Sequence, residues 1–516
     1  MAKTFLCSRT EPVVQTKAGK LRGYCFDGTY TFHGIKYCDA ERFGMPKEVE
    51  PWDGVKDALS YGFVCPLMNR ETPNGELMVP HRYWPMDEHC QFLNVWTRSL
   101  SPEAKKPVMV WLHGGGFSAG SSIEQVCYDG ANLCAKGDVV VVSINHRLNI
   151  LGYLDLSPFG EKYKNSGNAG NKDMVAALKW IHDNIANFGG DPENVTLFGQ
   201  SGGGMKVWTL MQTPEADGLF HKGIIQSGLI DGFVSDKPQD GTKVVTAMLE
   251  ELGFDNVEQL ETVPYETMVA AYQKVIPALQ REGEYVGCTP IPDDFYLGDP
   301  RAIGFTEHAK TIPVMVGTVF GEFAFVPGVP NKYELTDEEA KELLIKKYGD
   351  NTDELIGCYK AAYPDKCLVD LLYVDNLFRA PSKDFIEKKA AHKESPTYSY
   401  LFTYDFPFDG GKAAWHCSDL PFFFANTDKV PVCHIPGVSD ELEDKMSSAI
   451  LNFAKTGNPN YELLPDWPAC EPGDEAVMIF DRECEVRHNH DNELIALHVK
   501  AAPKFVFGKK DDNIQH

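Results

Sequence analysis

Across its 516 residues the chain has no apolar run long enough to span a bilayer, no CxxC pair among its fourteen cysteines, no low-complexity linker and no internal repeat. The first absence argues against a transmembrane helix. The second argues against zinc or thioredoxin-type motifs, and the last two against tethered modules or a solenoid. Positive charge is scarce as well: 49 Lys and Arg stand against 74 Asp and Glu, a formal net charge of −25. That balance disfavours nonspecific binding to nucleic acid or anionic membranes and serves solubility. The opening MAKTFLCSRTEPVV holds no apolar core long enough for a secretory signal, and the closing DDNIQH matches no retention or anchor signal. The expectation is a cytoplasmic protein, monomer or homodimer, with no nucleic-acid or membrane partner.

What the chain does have is glycine in two telling places. Asn194 to Phe198 (NVTLF) reads as a short buried strand, and GGGMKVWTLM after Ser201 can run on as a helix. A serine on so sharp a strand-to-helix turn adopts a strained backbone and presents its hydroxyl above the sheet. Gly199 and Gly203 flank it where a Cβ would clash, and the helix N-terminus favours a negative oxygen. Upstream, Lys106 to Leu112 (KPVMVWL) reads as a strand ending in His113-Gly114-Gly115-Gly116-Phe117. Such a loop can turn several N–H groups into one cavity, which is what a developing oxyanion needs.

These motifs, with NHRLNILGYL (Asn145–Leu154) and GNAGNKDMVAALKWIHDNIANFGGDPENVTLFGQSGGG up to Gly204, closely resemble the type-B carboxylesterase and cholinesterase family. FHGIKYCDAERF (Phe32–Phe43), DEHCQFLNVW (Asp87–Trp96), FAKTGNPN (Phe453–Asn460) and LPDWP (Leu464–Pro468) extend the likeness over nearly the whole chain. The resemblance implies a single α/β-hydrolase domain over residues 1–516. Its α/β architecture would be a central, mostly parallel twisted sheet flanked by helices, with large insertions forming the active-site entrance. It implies a serine esterase acting through an acyl-enzyme, with no cofactor or metal and a small-molecule ester as substrate.

In that fold the acid and the histidine follow the serine in the chain. Thr311 to Gly317 (TIPVMVG) reads as a strand leading into Thr318-Val319-Phe320-Gly321-Glu322, and Glu322 fits the family's acid position. Gly321 stands where relatives often carry Asp, which leaves Glu322 as the only carboxylate of the turn. His416, in AAWHCSDLPFFF after a strand at Thr397–Tyr404, resembles the family's histidine loop. Most other histidines, His488 and His490 among them, read as solvated, and His113 as a shaper of the glycine loop. The catalytic residues expected are therefore Ser201, Glu322 and His416, with Gly115, Gly116 and Gly202 as oxyanion donors. The resemblance further implies a buried salt bridge between Arg147 and Asp173. Ser227 is either a serine near the triad or a strand-end hydroxyl capping a turn. Cys65 and Cys90 match a family disulfide, while the missing secretory signal favours reduced thiols; both readings stand. The sequon at Asn194 enters a buried strand and is set aside.

The sequence says less about which ester. Gln200 is neutral where choline-hydrolysing relatives carry glutamate, and the Tyr83-Trp84 loop departs from the cholinesterase spacing. Neutral small to medium esters are expected. The pocket walls are expected from the Cys65–Cys90 loop, Tyr285–Ile291, Phe323–Val326, Trp415 and Phe422–Phe424. The alternatives are a lipase for long-chain esters and a catalytically silent binding relative.

Overall fold

The computed structural model describes residues 3–502 apart from 70–78, 235–238, 285, 324–328, 330, 376 and 409. Runs such as VMVWL and VVVSI are apolar on every residue or nearly so, the pattern of strands covered on both faces. They belong to one twelve-stranded sheet. Its strands are β1 (Phe5–Leu6), β2 (Tyr24–Phe26), β3 (Thr29–Lys36), β4 (Phe92–Thr97), β5 (Lys106–Leu112), β6 (Val140–Ile144), β7 (Gly190–Gln200), β8 (Lys222–Gln226), β9 (Val314–Val319), β10 (Thr397–Phe402), β11 (Ala476–Phe480) and β12 (Glu485–His488). In space the order is β1-β2-β3-β4-β6-β5-β7-β8-β9-β10-β11-β12. Strands β5 to β11 run parallel, and antiparallel strands close both edges.

The pleat divides the core. Val108, Val110 and Leu112 join Val140, Val142, Leu197 and Val316 on one face. Met109 and Trp111 join Val141, Phe198 and Met315 on the other. A third apolar cluster gathers Leu148, Leu151 and Leu154 with Val244, Met248, Leu260 and Met268. It is built largely by the helices Thr242–Leu252 and Tyr265–Glu282, inserted between β8 and β9. Among the described residues no helix is long and apolar enough to cross a membrane.

The sheet register aligns the carboxyl ends of the parallel strands. Leu112 lies beside Gly199, Gln200 beside Gln226, Gln226 beside Gly317, and Gly317 beside Tyr400. Chain leaving these ends must share one crevice, the usual ligand position of an open parallel sheet. Glycine is required at Gly317, because a Cβ there would run into the Tyr400 ring.

Behind the crevice Arg147 forms a buried two-point pair with Asp173, Nε to Oδ2 at 2.8 Å and Nη2 to Oδ1 at 2.7 Å. Its Nη1 donates to the carbonyls of Glu41 (3.1 Å) and Gly44 (2.8 Å). One guanidinium thus joins the chain after β6, the helix Ala169–Asn184 and the amino-terminal segment. Removing one partner of such a pair strands a buried charge, at a cost of about 3–5 kcal/mol.

One open pair is placed and two expectations are corrected. Cys65 and Cys90 are free, buried thiols in mutual contact, with no bridge between them. Trp415 and Phe422–Phe424 are core rather than pocket wall. The short helix Leu420–Phe423 folds the chain back onto the sheet, where Phe424 packs on Trp111 and Phe198 and Trp415 on Phe406. His490 is half-buried rather than fully solvated: its ring packs edge-on to Tyr363 and burial pushes it down to about 4. Tyr285, residues 324–326 and residues 70–78 of the Cys65–Cys90 loop lie outside the described residues.

Candidate active site

Ser201 leaves β7 with φ 57° and ψ −125°, a conformation L-residues rarely adopt. Its N–H donates to the Gln226 carbonyl at 2.8 Å, and its own carbonyl accepts from Met205 N–H at 3.0 Å, starting the helix Gly202–Met211. The turn closes only because side chains are missing. A Cβ on Gly199 would overlap Gly203, one on Gly203 would overlap the Leu112 carbonyl, and one on Gly202 would overlap Gly116. Gln200 and residues 202–211 are buried, whereas Ser201 is partly exposed.

The glycine loop after β5 is held by its carbonyls. Lys206 Nζ donates to His113 O at 2.8 Å. The His113 ring donates from Nδ1 to Gly114 O at 2.9 Å, and the N–H groups of Ser118 and Ala119 donate to Gly115 O at 3.2 and 3.0 Å. In a planar trans peptide the N–H points opposite the C=O. Pinning the carbonyls of Gly114 and Gly115 therefore turns the N–H groups of Gly115 and Gly116 the other way. Among the described residues neither these two nor the N–H of Gly202 makes a hydrogen bond. Positive φ at Gly115 (82°) and Gly116 (61°) shapes the bend.

Glu322 and His416 meet over the ends of β9 and β10. His416 Nδ1 donates to Glu322 Oε2 at 2.5 Å. Glu322 Oε1 accepts from Ser227 Oγ at 2.6 Å and from Val319 N–H at 3.0 Å. A backbone bond, His416 N–H to Glu322 O at 2.6 Å, ties the two loops. Ser227 thus supports the carboxylate rather than capping its own turn. The imidazole lies between the rings of Phe378 (5.0 Å, 20°) and Phe323 (4.7 Å, 32°), which leaves it little freedom to tilt. Phe323 packs on the histidine instead of lining a wall.

Ser201 and His416 are not hydrogen-bonded. Gln200 Nε2 instead approaches both ring nitrogens, Nε2 at 3.2 Å and Nδ1 at 3.3 Å. The Cys417 thiol donates to the Gln200 carbonyl oxygen at 3.1 Å and holds that amide in place. Catalytic hydrogen bonds are commonly long or misaligned before substrate binds.

Two further buried carboxyls surround Glu322. Asp375 accepts the N–H groups of Leu377, Phe378 and Arg379, and Asp419 accepts the Tyr400 hydroxyl at 2.9 Å. Burial, and then the charge of Glu322, pushes each up to about 7. On the other side, burial followed by the charge of Lys206 pushes the His113 imidazole well below its ordinary range.

Sequence reasoning missed Gln200 as a neighbour of the imidazole, and missed Phe378, Asp375, Asp419 and Lys206. Lys206 carried a signal: it is the lone charge in GGGMKVWTLM, spaced to share a helix face with Gly202 and Gly203. It also missed Phe233, whose ring edge would stand 3.2 Å from a Cβ on Gly116.

A model of the carboxylesterase family matches residues 10–497. The para-nitrobenzyl esterase of Bacillus subtilis (strain 168) is 32% identical over 499 residues, covering 94% of this chain and 98% of that protein. The phenmedipham hydrolase of Pseudarthrobacter oxydans is 31% identical, covering 92% of this chain and 96% of its own. Among solved structures, an esterase from anaerobic Clostridium hathewayi, described as able to hydrolyse aliphatic aromatic polyesters, superposes with a TM-score of 0.94. It is 57% identical, covering 97% of this chain and all of that one.

The close approach at Gly203 is testable by adding one methyl group. Gly203→Ala is expected to push the helix from β5, destabilise the protein by about 1–3 kcal/mol and slow phosphonylation of the serine. Gly357→Ala, at a helical glycine with nothing near its Cβ position, is expected to leave both unchanged. Thermal unfolding and the rate of fluorophosphonate labelling read the contrast; equal behaviour of the two variants would refute the steric account.

Proposed function

The chain belongs to the carboxylesterase family and is a carboxylic ester hydrolase, and from that premise we propose that Ser201, His416 and Glu322 are its catalytic triad. The observation that carries this reading is the 2.5 Å bond from His416 Nδ1 to Glu322 Oε2 beside the strained, partly exposed Ser201. The imidazole turns from Gln200 to Ser201, and Nε2 takes the hydroxyl proton as Oγ attacks the acyl carbonyl. The oxyanion is received by the N–H groups of Gly115, Gly116 and Gly202. His416 then protonates the leaving alcohol, and water repeats the sequence on the acyl-enzyme to release the acid. Glu322 holds the Nδ1–H tautomer and stabilises the imidazolium. Arg147, Asp173 and Ser227 support this arrangement from behind.

The substrates we infer are neutral esters with small to medium acyl groups. Phe233 beside Gly116 supports that limit, since an acyl chain must pass close to the oxyanion donors. Gln200, buried against His416, offers no charge for a choline headgroup. A second reading, esters of aliphatic–aromatic polyesters, is favoured by the 57% identity to the Clostridium hathewayi enzyme. The whole of residues 1–516 is read as one catalytic domain. The protein is read as a cytoplasmic monomer or homodimer, and its net charge of −25 supports the absence of nucleic-acid and anionic-membrane partners.

Ser201→Ala is expected to abolish hydrolysis of p-nitrophenyl esters in a folded protein. Glu322→Gln is expected to lower kcat by orders of magnitude, about 10⁴-fold in the comparable aspartate case, with KM much less affected. A fluorophosphonate should modify Ser201 alone, as peptide mapping would show. A modified serine elsewhere, or full turnover in either variant, would end the assignment.

Along a p-nitrophenyl series from acetate to palmitate, kcat/KM is expected to peak at short or medium acyl length. Phe233→Ala is expected to move the peak toward longer chains. A wild-type maximum at palmitate would favour a lipase. On a thin film of an aliphatic–aromatic polyester, the wild-type enzyme should release soluble acid and Ser201→Ala none; a film left intact would discard the polyester reading while sparing the esterase one.

A further inference from the structure

Lys206 is buried to zero exposure one turn beyond the glycine contacts of the Gly202–Met211 helix. Gly199, Gly202 and Gly203 bring that helix face against Leu112–Gly116 with no side chain between them. Lys206 follows Gly202 by four residues, the spacing that repeats a helix face. Its Nζ reaches back to His113 O at 2.8 Å and lies 6.0 Å from the centre of the Phe117 ring.

Packing does not explain a lysine here. Methionine would fill a similar volume without desolvating an amine, and a buried amine is tolerated only when hydrogen-bonded. The glycine loop, by contrast, needs an anchor. Gly114, Gly115 and Gly116 carry no side chains, so their orientation depends on groups that grip their carbonyls. His113 grips Gly114, and Ser118 and Ala119 grip Gly115. The peptide that leads into the loop, His113–Gly114, is gripped by Lys206.

We propose that Lys206 is a positioning residue for the oxyanion hole, holding the His113–Gly114 peptide so that the N–H groups of Gly115 and Gly116 face the developing negative oxygen. The inference rests on the proposed roles of Ser201 and the glycine loop. Burial pushes the Lys206 amine down to about 7, against the opposing charges of Glu124 and Cys65. Either protonation state retains an N–H to give to His113.

The test compares wild type with Lys206→Met and Lys206→Gln, each checked for folding by near-ultraviolet circular dichroism. Two readouts are used: kcat and KM for p-nitrophenyl butyrate, and inhibition by an alkyl trifluoromethyl ketone. The ketone forms a hemiketal with Ser201. The Oγ–C bond forms, the carbonyl electron pair moves to oxygen, and the hydroxyl proton passes to His416, so its affinity reports on oxyanion stabilisation. In Lys206→Met, kcat is expected to fall by at least about tenfold with KM within about threefold. Ketone affinity is expected to fall by a factor similar to that of kcat/KM. Wild-type values for kcat and ketone affinity, or a raised KM with kcat retained, would overturn the role. If Lys206→Met does not fold, Lys206→Gln is held to the same criteria. Failure of both to fold would assign Lys206 to folding instead. A ketone that fails to inhibit the wild-type enzyme would fault the triad reading itself, whatever the Lys206 variants do.

Discussion

Backbone meeting backbone, with no side chain between, is the constraint on which this site depends. Gly203 rests on the Leu112 carbonyl, Gly202 on Gly116 and Gly204 on Gly228. The exits of β5, β7 and β8 are thereby drawn together over one helix end. Ser201, the residue forced to make the turn, has nowhere to put its side chain except outward. The unfavourable φ of 57° costs on the order of 1–3 kcal/mol, and the packed cores on both faces of the sheet offset it.

The same strain recurs around the crevice. Ser227 (φ 44°), Glu322 (φ 31°) and Cys417 (φ 74°) all adopt the left-handed region that favours glycine. Each is the first or a near residue out of a strand end, or a neighbour of His416, and each makes a hydrogen bond that uses the position: Ser227 to Glu322, Glu322 to His416, Cys417 to Gln200. Cores that are over-determined elsewhere can hold several such residues at once. The buried carboxyls follow the same logic. Asp375 and Asp419 are both raised to about 7 by burial and by the neighbouring charge of Glu322.

Much of this was legible in the chain because it is local. The strand Lys106–Leu112 lies where its apolar run begins and ends, and the turn at Ser201 is written in glycine spacing. The strand expected from Thr311 begins only at Val314, because Thr311 closes the short helix Glu307–Thr311 and Pro313 lacks the N–H a ladder needs. The aromatics around His416 were misassigned for a different reason. Local sequence shows that Trp415 and Phe422–Phe424 are apolar, but not which face of the sheet the returning chain will cover. Phe378 and Asp375 were illegible for the same cause, since they reach the crevice from the start of the distant helix Arg379–Ala390. No single window of sequence carries these long-range contacts.

Gln200 poses the last physical question of the site. With Nδ1–H committed to Glu322, the free lone pair of the imidazole lies on Nε2; the Gln200 amide nitrogen stands 3.2 Å from Nε2 and 3.3 Å from Nδ1, and so lies against the ring rather than on that lone pair. In the proposed mechanism that lone pair takes the serine proton, and the amide, lying against the ring, does not occupy it. A glutamate in place of Gln200 would accept rather than donate, and would attract the ring as an imidazolium. The neutral amide adds no charge beside the ring and so does not favour the imidazolium. Its oxygen is held by the Cys417 thiol, and the ring can pivot only within the slot between Phe323 and Phe378. Rotation within the ring plane is the motion this slot leaves open. The bond to Glu322 sets the tautomer, and the slot keeps the ring in the plane of that bond.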